Sequence, residues 1–189
     1  MRVGILGSGL MGGKLGTIFA RAGHEVVFSY ARRQEKLERL AREADGNARA
    51  GTPAEAARDA DALLLAVHWS RFDDVLHQAS DLSGKVIITC SLPMSDQDTG
   101  LVLGLTTSGA EELAKKVPEA RVVCAFNTVP SEVLFGVFEA RDKDNRPSLI
   151  YRDRRRADPR CRLRSCGRGP PADRPLHRAV RAAGRPARL

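Results

Sequence analysis

Short runs of apolar residues alternate along this chain with longer stretches in which apolar positions recur at helical spacing. Val3, Ile5 and Leu6 make the first run, and Val26-Val27-Phe28 the second. Residues 62–67 (ALLLAV), 85–90 (KVIITC) and 122–126 (VVCAF) are continuous apolar runs. Strands buried on both faces of a parallel sheet read this way. Residues 48–51 predict a short strand and residues 147–151 (PSLIY) a last one. Between them, residues 10–22, 34–44, 72–79 and 107–116 predict helices. Thr52-Pro53-Ala54-Glu55 predicts a helix start, with Thr52 as N-cap, Pro53 in the first helical position and Glu55 reaching back. Residues 131–138 predict a short helix or turn. Strand and helix alternate throughout, which is the pattern of an α/β protein with a doubly wound, mainly parallel sheet.

The link between the first strand and the first helix carries the chemistry. Gly7-Ser8-Gly9-Leu10-Met11-Gly12 fits G-x-G-x-x-G. The first glycine allows a sharp turn out of the strand, the second leaves bare backbone for a pyrophosphate, and the third lets the helix pack close to the sheet. Unpaired N–H groups and the helix dipole at that N-terminus favour negative charge. The motif follows a strand and opens a βαβ unit of the usual ~30 residues, so it predicts a Rossmann-like dinucleotide site. A site for NAD places Asp or Glu ~20 residues after the glycines, on the ribose 2′-hydroxyl. Here the second strand ends Ser29-Tyr30-Ala31-Arg32-Arg33, with Lys36 one turn on and no carboxylate. A hydroxyl and a basic cluster suit a 2′-phosphate, because guanidinium pairs with phosphate in a bidentate fork. The expected coenzyme is therefore NADP(H), held by Ser29, Arg32, Arg33 and Lys36. The alternative is that these cations are a solvated helix start, although a helix N-terminus disfavours positive charge.

Composition narrows the class. A chain of 189 residues predicts one domain. No apolar run approaches the ~18 residues of a membrane span, and the N-terminus reads as a strand rather than a leader, so the expectation is a cytoplasmic protein. Cys90, Cys124, Cys161 and Cys166 have neither C-x-x-C spacing nor a histidine cluster, which argues against a metal site or a disulfide framework. The formal net charge of +8 is unevenly placed. Residues 1–151 hold 18 Lys and Arg against 20 Asp and Glu, whereas residues 152–189 hold 13 Arg, no Lys and three Asp. The basic character belongs to the tail and says nothing of what the folded part binds.

Together the segments GILGSGLMGGKLG, GHEVVFSYARR, AVHWS, TCSLPM and AFNTVPSEVL resemble the NADP oxidoreductase, coenzyme F420-dependent family, over residues 1–151. The resemblance implies that Ser8, Gly9, Leu10 and Met11 hold the pyrophosphate. It implies that Val67, His68, Trp69, Leu92, Ala125 and Asn127 surround the nicotinamide. Each has a plainer reading as well. Val67, Leu92 and Ala125 suit a core, Trp69 suits a cap on the sheet, and His68 is not needed as an acid. Hydride transfer between a nicotinamide and a deazaflavin needs orientation and a dry pocket rather than a protein nucleophile. No catalytic acid, base or metal is therefore assigned. F420 is the implied co-substrate and a small-molecule redox partner the implied partner, with a homodimer left open. A non-catalytic NADPH-binding module is the alternative.

Residues 152–189 change character abruptly, with five Pro and only Leu163, Leu176, Val180 and Leu189 as large aliphatic residues. Such a segment cannot bury enough apolar surface to fold alone, so disorder is expected. An Arg-rich arm could bind nucleic acid, but it offers no aromatic ring to stack on a base. Arg, Pro, Ala and Gly without Lys are what a GC-rich gene yields out of frame. Residues 173–184 can be encoded so that reading one base later gives IARYTEPFALLV, which is similar to the family's C-terminal helix region. The reading is a frame that slips just after Tyr151, leaving a coenzyme-binding domain over 1–151 and an out-of-frame tail.

Overall fold

In the computed structural model, residues 1–104 and 106–142 are described with their side chains, and the backbone is described for two further strands within 150–165. β1 (Arg2–Leu6) leads through the glycine loop into α1 (Leu10–Arg21). β2 (Glu25–Ser29), α2 (Gln34–Glu43), β3 (Ala48–Ala50), α3 (Pro53–Arg58) and β4 (Ala62–Leu65) follow. A single 3₁₀ turn (Trp69–Arg71) opens α4 (Phe72–Ala79). Then come β5 (Val86–Thr89), α5 (Gly109–Lys116) and β6 (Arg121–Ala125). A turn (Ser131–Val133) runs into α6 (Leu134–Glu139), and β7 (Ile150–Arg154) and β8 (Arg164–Ser165) end the sheet.

The sheet order is β3-β2-β1-β4-β5-β6-β7-β8. The first six of these run parallel, while β7 lies antiparallel to β6 and β8 antiparallel to β7. The expected doubly wound, mainly parallel, Rossmann-like sheet is what forms. The order reverses between β1 and β4, and there the carboxyl ends of the strands open a crevice for ligands.

Burial explains why these runs became strands. All four residues of β4 are buried, and so are Val3 to Leu6 of β1. On one face, Ile5, Phe28 and Leu64 pack with Leu15, Ile18 and Phe19 of α1 and Leu37 of α2. On the other, Leu63, Leu65 and Ile87 pack with Ala56 and Ala57 of α3, Val75 of α4 and Leu113 of α5. Small residues bring helix and sheet together. A Cβ on Gly16 would lie 2.3 Å from the Phe28 ring, and one on Gly4 2.2 Å from the Ala56 carbonyl.

Differences from the sequence expectation lie at element ends and in the tail. The runs at 62–67, 85–90 and 122–126 each continue past their strand, because the chain leaves the ladder at the carboxyl edge to form loops. The helix expected from 107 begins at Gly109, capped by Ser108 in a capping box with Glu111. The expected box of Thr52 and Glu55 is present. Of the strand expected at 147–151, residues 147–149 lie outside the described residues, and the strand runs Ile150–Arg154. Against the expected disorder over 152–189, residues 152–154 of β7 and residues 164–165 of β8 are strands of the sheet; the rest of the tail lies outside the described residues. No helix among the described residues is long and apolar enough to cross a membrane.

Candidate coenzyme site

The glycine loop is shaped by contacts that admit no side chain. Gly7 sits at φ 109°, a left-handed conformation open to glycine. A Cβ there would also meet the Val67 side chain at 2.5 Å. The loop is thus pressed against the end of β4, as the switch point requires. On Gly12 a Cβ would come 1.8 Å from the Gly7 carbonyl, so the first turn of α1 folds back onto the loop. Gly9 is different. A Cβ there would meet nothing within 4 Å. Glycine at this position answers to no protein neighbour, and the space beside it is open.

α1 begins with Gly9 as N-cap, no side-chain cap and no acidic residue in its first turn. By contrast α3 and α5 each have a full capping box. The first N–H groups of a helix have no intrahelical acceptor. Those of Leu10, Met11 and Gly12 are left to face the opening, with Gly9 and Leu10 exposed beside them. Ser8 corrects the sequence expectation. Its hydroxyl donates to the Ser29 carbonyl at 2.9 Å and its N–H donates to the Tyr30 carbonyl at 3.2 Å, so the residue is fully spent on β2.

Ser29 is a second correction. It is completely buried, and its hydroxyl donates to the Ile5 carbonyl at 2.7 Å. It pins β2 to β1 and has no group left for a phosphate. Arg32 and Arg33 are exposed just beyond, and Lys36 is half-buried on the first turn of α2. Tyr30 was missed by the sequence reading. It takes a positive φ of 57°, and its hydroxyl donates to the carboxylate of Asp74 on α4. Burial, then that hydrogen bond, pushes the Tyr30 phenol up to about 12. The Tyr30 and Gln78 hydrogen bonds hold the Asp74 carboxyl below its ordinary value. Sequence offers no sign of a contact spanning 44 residues.

At the carboxyl ends of β4, β5 and β6 a chain of hydrogen bonds crosses three strands. The Ser91 hydroxyl donates to the Val67 carbonyl at 2.6 Å. Asn127 Nδ2 donates to the Ser91 carbonyl at 3.1 Å, and Cys124 Sγ donates to Asn127 Oδ1 at 3.0 Å. Phe126 between them sits at φ 66°. A phenylalanine in this region is strained and is held there by its surroundings. Ala125 is buried, so its side chain belongs to the core, the plainer of its two expected readings. Trp69 lies against Phe72, with ring centroids 4.6 Å apart, and packs on the α3–α4–α5 side of the sheet. Leu92 is 48% exposed at the rim. Burial pushes the Cys90 thiol up to about 11, which leaves it protonated near neutrality and inert as a nucleophile.

Residues 2–93 match the family model described as NADP oxidoreductase coenzyme F420-dependent. A putative F420-dependent NADP-reductase from Arthrobacter sp. FB24 is similar in structure, at TM-score 0.69 and 21% identity, over 82% of this chain and 75% of that one. A hypothetical protein from Sinorhizobium meliloti is similar at TM-score 0.68 and 25% identity, over 80% of this chain and 72% of that one. A reductive aminase from Aspergillus terreus, solved with NADPH4, cyclohexanone and allyl amine, shares the fold at TM-score 0.53 and 20% identity, over 70% of this chain and 43% of that one. The matched stretch contains the glycine loop, the basic cluster, the β4 end and Leu92, while Ala125 and Asn127 lie beyond it. The resemblance read from the motifs over residues 1–151 is thus supported over residues 2–93, which match the model of the NADP oxidoreductase, coenzyme F420-dependent family.

Proposed function

We propose that this NADP-dependent oxidoreductase binds NADP(H) across the β1–α1 loop and passes hydride between its nicotinamide and a small redox partner of the deazaflavin type, coenzyme F420. One observation carries the coenzyme reading: an uncapped, acid-free helix N-terminus opens onto empty space beside Gly9, next to two exposed arginines at the end of β2.

The N–H groups of Gly9, Leu10, Met11 and Gly12 hold the pyrophosphate, where the dipole of α1 favours negative charge. Arg32 and Arg33, with Lys36 behind them, hold the 2′-phosphate through charge-assisted hydrogen bonds. Val67, His68, Trp69, Leu92 and Asn127 border the nicotinamide end, with Ala125 supporting from the core. The bound coenzyme supplies the hydride chemistry, and the protein supplies orientation and exclusion of water. The bonds that lock Ser91, Asn127 and Val67 together fix the floor on which the ring would rest.

Titration of the full chain with NADPH and NADH, followed by the fluorescence of Trp69, tests the reading. NADPH binds at least about tenfold more tightly than NADH, and Arg32→Ala with Arg33→Ala removes most of that difference, since a hydrogen bond to a charged group is worth ~1.5–3 kcal/mol. NADH affinity stays unchanged in the double variant. Equal affinity for the two nucleotides in the unmodified chain overturns the 2′-phosphate assignment. Binding of NADPH without its oxidation by F420 points to a coenzyme-holding module instead.

A further inference from the structure

The loop that leaves β5 returns on itself before reaching α5. Met94 pairs with Leu101 in an antiparallel bridge, and the Val102 N–H donates to the Pro93 carbonyl at 2.8 Å. Inside it, the Ser95 N–H donates to the Gly100 carbonyl at 2.9 Å, and Asp98, at φ 55°, donates its N–H to the Ser95 carbonyl at 2.9 Å. The Thr99 N–H donates to Ser95 Oγ at 3.1 Å. These bonds hold the loop together without fastening it to anything else. Among the described residues, the hydrogen bonds that do fasten residues 92–104 come from one side chain, His68 at the end of β4. His68 Nε2 lies 3.2 Å from the Ser95 carbonyl and 3.2 Å from Asp98 Oδ1.

The other ring nitrogen decides the hydrogen's place. His68 Nδ1 accepts the Ser70 N–H at 3.3 Å and lies 2.9 Å from Ser70 Oγ, capping the turn at Trp69–Arg71. An accepting Nδ1 puts the ring hydrogen on Nε2, which then donates into the loop. Both nitrogens are engaged in holding backbone, so the ring is not free to pass a proton to a substrate.

We propose that His68 is a positioning residue: through Nε2 it latches the 92–104 loop to the β4 end, and so sets the outer wall of the nicotinamide end of the cleft. This rests on the coenzyme reading above. Val67, one residue earlier, touches the glycine loop, so the latch sits where the coenzyme would turn into the reacting end. The loop presents Leu92, Leu101 and Val102, each about half or more exposed, as an apolar rim. Apolar side chains at that rim keep water from the reacting ring only while the loop is held in one place.

Three substitutions separate the two jobs of the ring. His68→Gln puts an amide N–H near the position of Nε2, whereas His68→Asn mimics Nδ1 and keeps only the cap. His68→Ala removes both. Amide hydrogen exchange of residues 92–104 is measured in the full chain, with NADPH affinity and NADPH oxidation by F420 alongside. The latch predicts exchange about tenfold faster or more in the Ala and Asn variants and near wild-type in the Gln variant. It predicts turnover lost in step with the exchange, in the Ala and Asn variants and not in the Gln variant. Unchanged exchange in His68→Ala overturns the proposal. So does wild-type behaviour in His68→Asn, which would show that the cap alone matters. Should the alanine variant not fold, the Asn and Gln variants, each keeping one polar position of the ring, decide the proposal by themselves: exchange as slow in His68→Asn as in His68→Gln overturns it. An unmodified chain that binds no NADPH overturns the proposed function, and the exchange series then decides the latch by itself.

Discussion

Gly9 and Gly12 lie three positions apart in one loop and answer to different constraints. At Gly12 the constraint is internal, because a methyl group would sit 1.8 Å from the Gly7 carbonyl. Gly12→Ala must displace backbone, and its cost exceeds the ~1–3 kcal/mol of ordinary overpacking. At Gly9 nothing in the protein opposes a methyl group. Gly9→Ala costs about 1 kcal/mol or less, as a poorer N-cap. It weakens NADPH by about tenfold or more by standing where the pyrophosphate meets backbone. Thermal unfolding and NADPH titration of the two variants check the contrast. NADPH affinity unchanged in Gly9→Ala would mean that the open space is not a ligand site. Ser8 and Ser29 teach the reverse lesson. As letters they look like phosphate ligands, but each hydroxyl is consumed in joining β1 to β2.

Among the elements, the N-termini of α1 and α6 have neither side-chain cap nor acid, but α6 runs on directly from the Ser131–Val133 turn, whereas α1 opens from the glycine loop. α3 and α5 satisfy their first turns with Thr52 and Ser108 boxes, while α1 has neither cap nor acid. An exposed position in its first turn allows stability and binding to be set against each other. Leu10 is 72% exposed. Leu10→Glu places a carboxylate at the positive end of the dipole and raises stability by ~0.3–1 kcal/mol. The same charge repels a pyrophosphate and weakens NADPH. Denaturant unfolding together with calorimetric titration reads both signs, and a variant that gains stability with no loss of NADPH affinity removes α1 from the site. The Thr52 box was legible because its partners are three residues apart. The Tyr30–Asp74 and His68–Ser95 bonds were not, because each joins elements that only the sheet brings together.

For the molecule as a whole, the site depends on the order of the strands. β1 and β4 are neighbours although β2 and β3 intervene in the chain, and this adjacency presses Gly7 against Val67 and opens the crevice. The sheet closes past β6 with two antiparallel strands. Residues 152–189 stand apart by composition, with 13 Arg and no Lys, where residues 1–151 carry nearly balanced charge. The proposal of a slipped frame makes one expected outcome. The gene's nucleotide sequence, read one base later from just after Tyr151, continues with a family-like apolar sequence. A shifted frame that gives no such continuation sinks it, and the Arg-rich tail is then native to the chain.

The sequence by itself determined the α/β class, the alternation of elements, the glycine loop and the basic end of β2. Each of these is written in neighbouring residues, through hydrophobic period, capping chemistry and the steric needs of a turn. Tertiary structure alone decided which polar groups remain free. A hydroxyl at a strand end serves a ligand only if no adjacent strand claims it, and claims of that kind come from residues tens of positions away. Ser29 is claimed by Ile5, His68 by Ser95 and Asp98, and Asn127 by Ser91, whereas the first turn of α1 is claimed by nothing in the described chain.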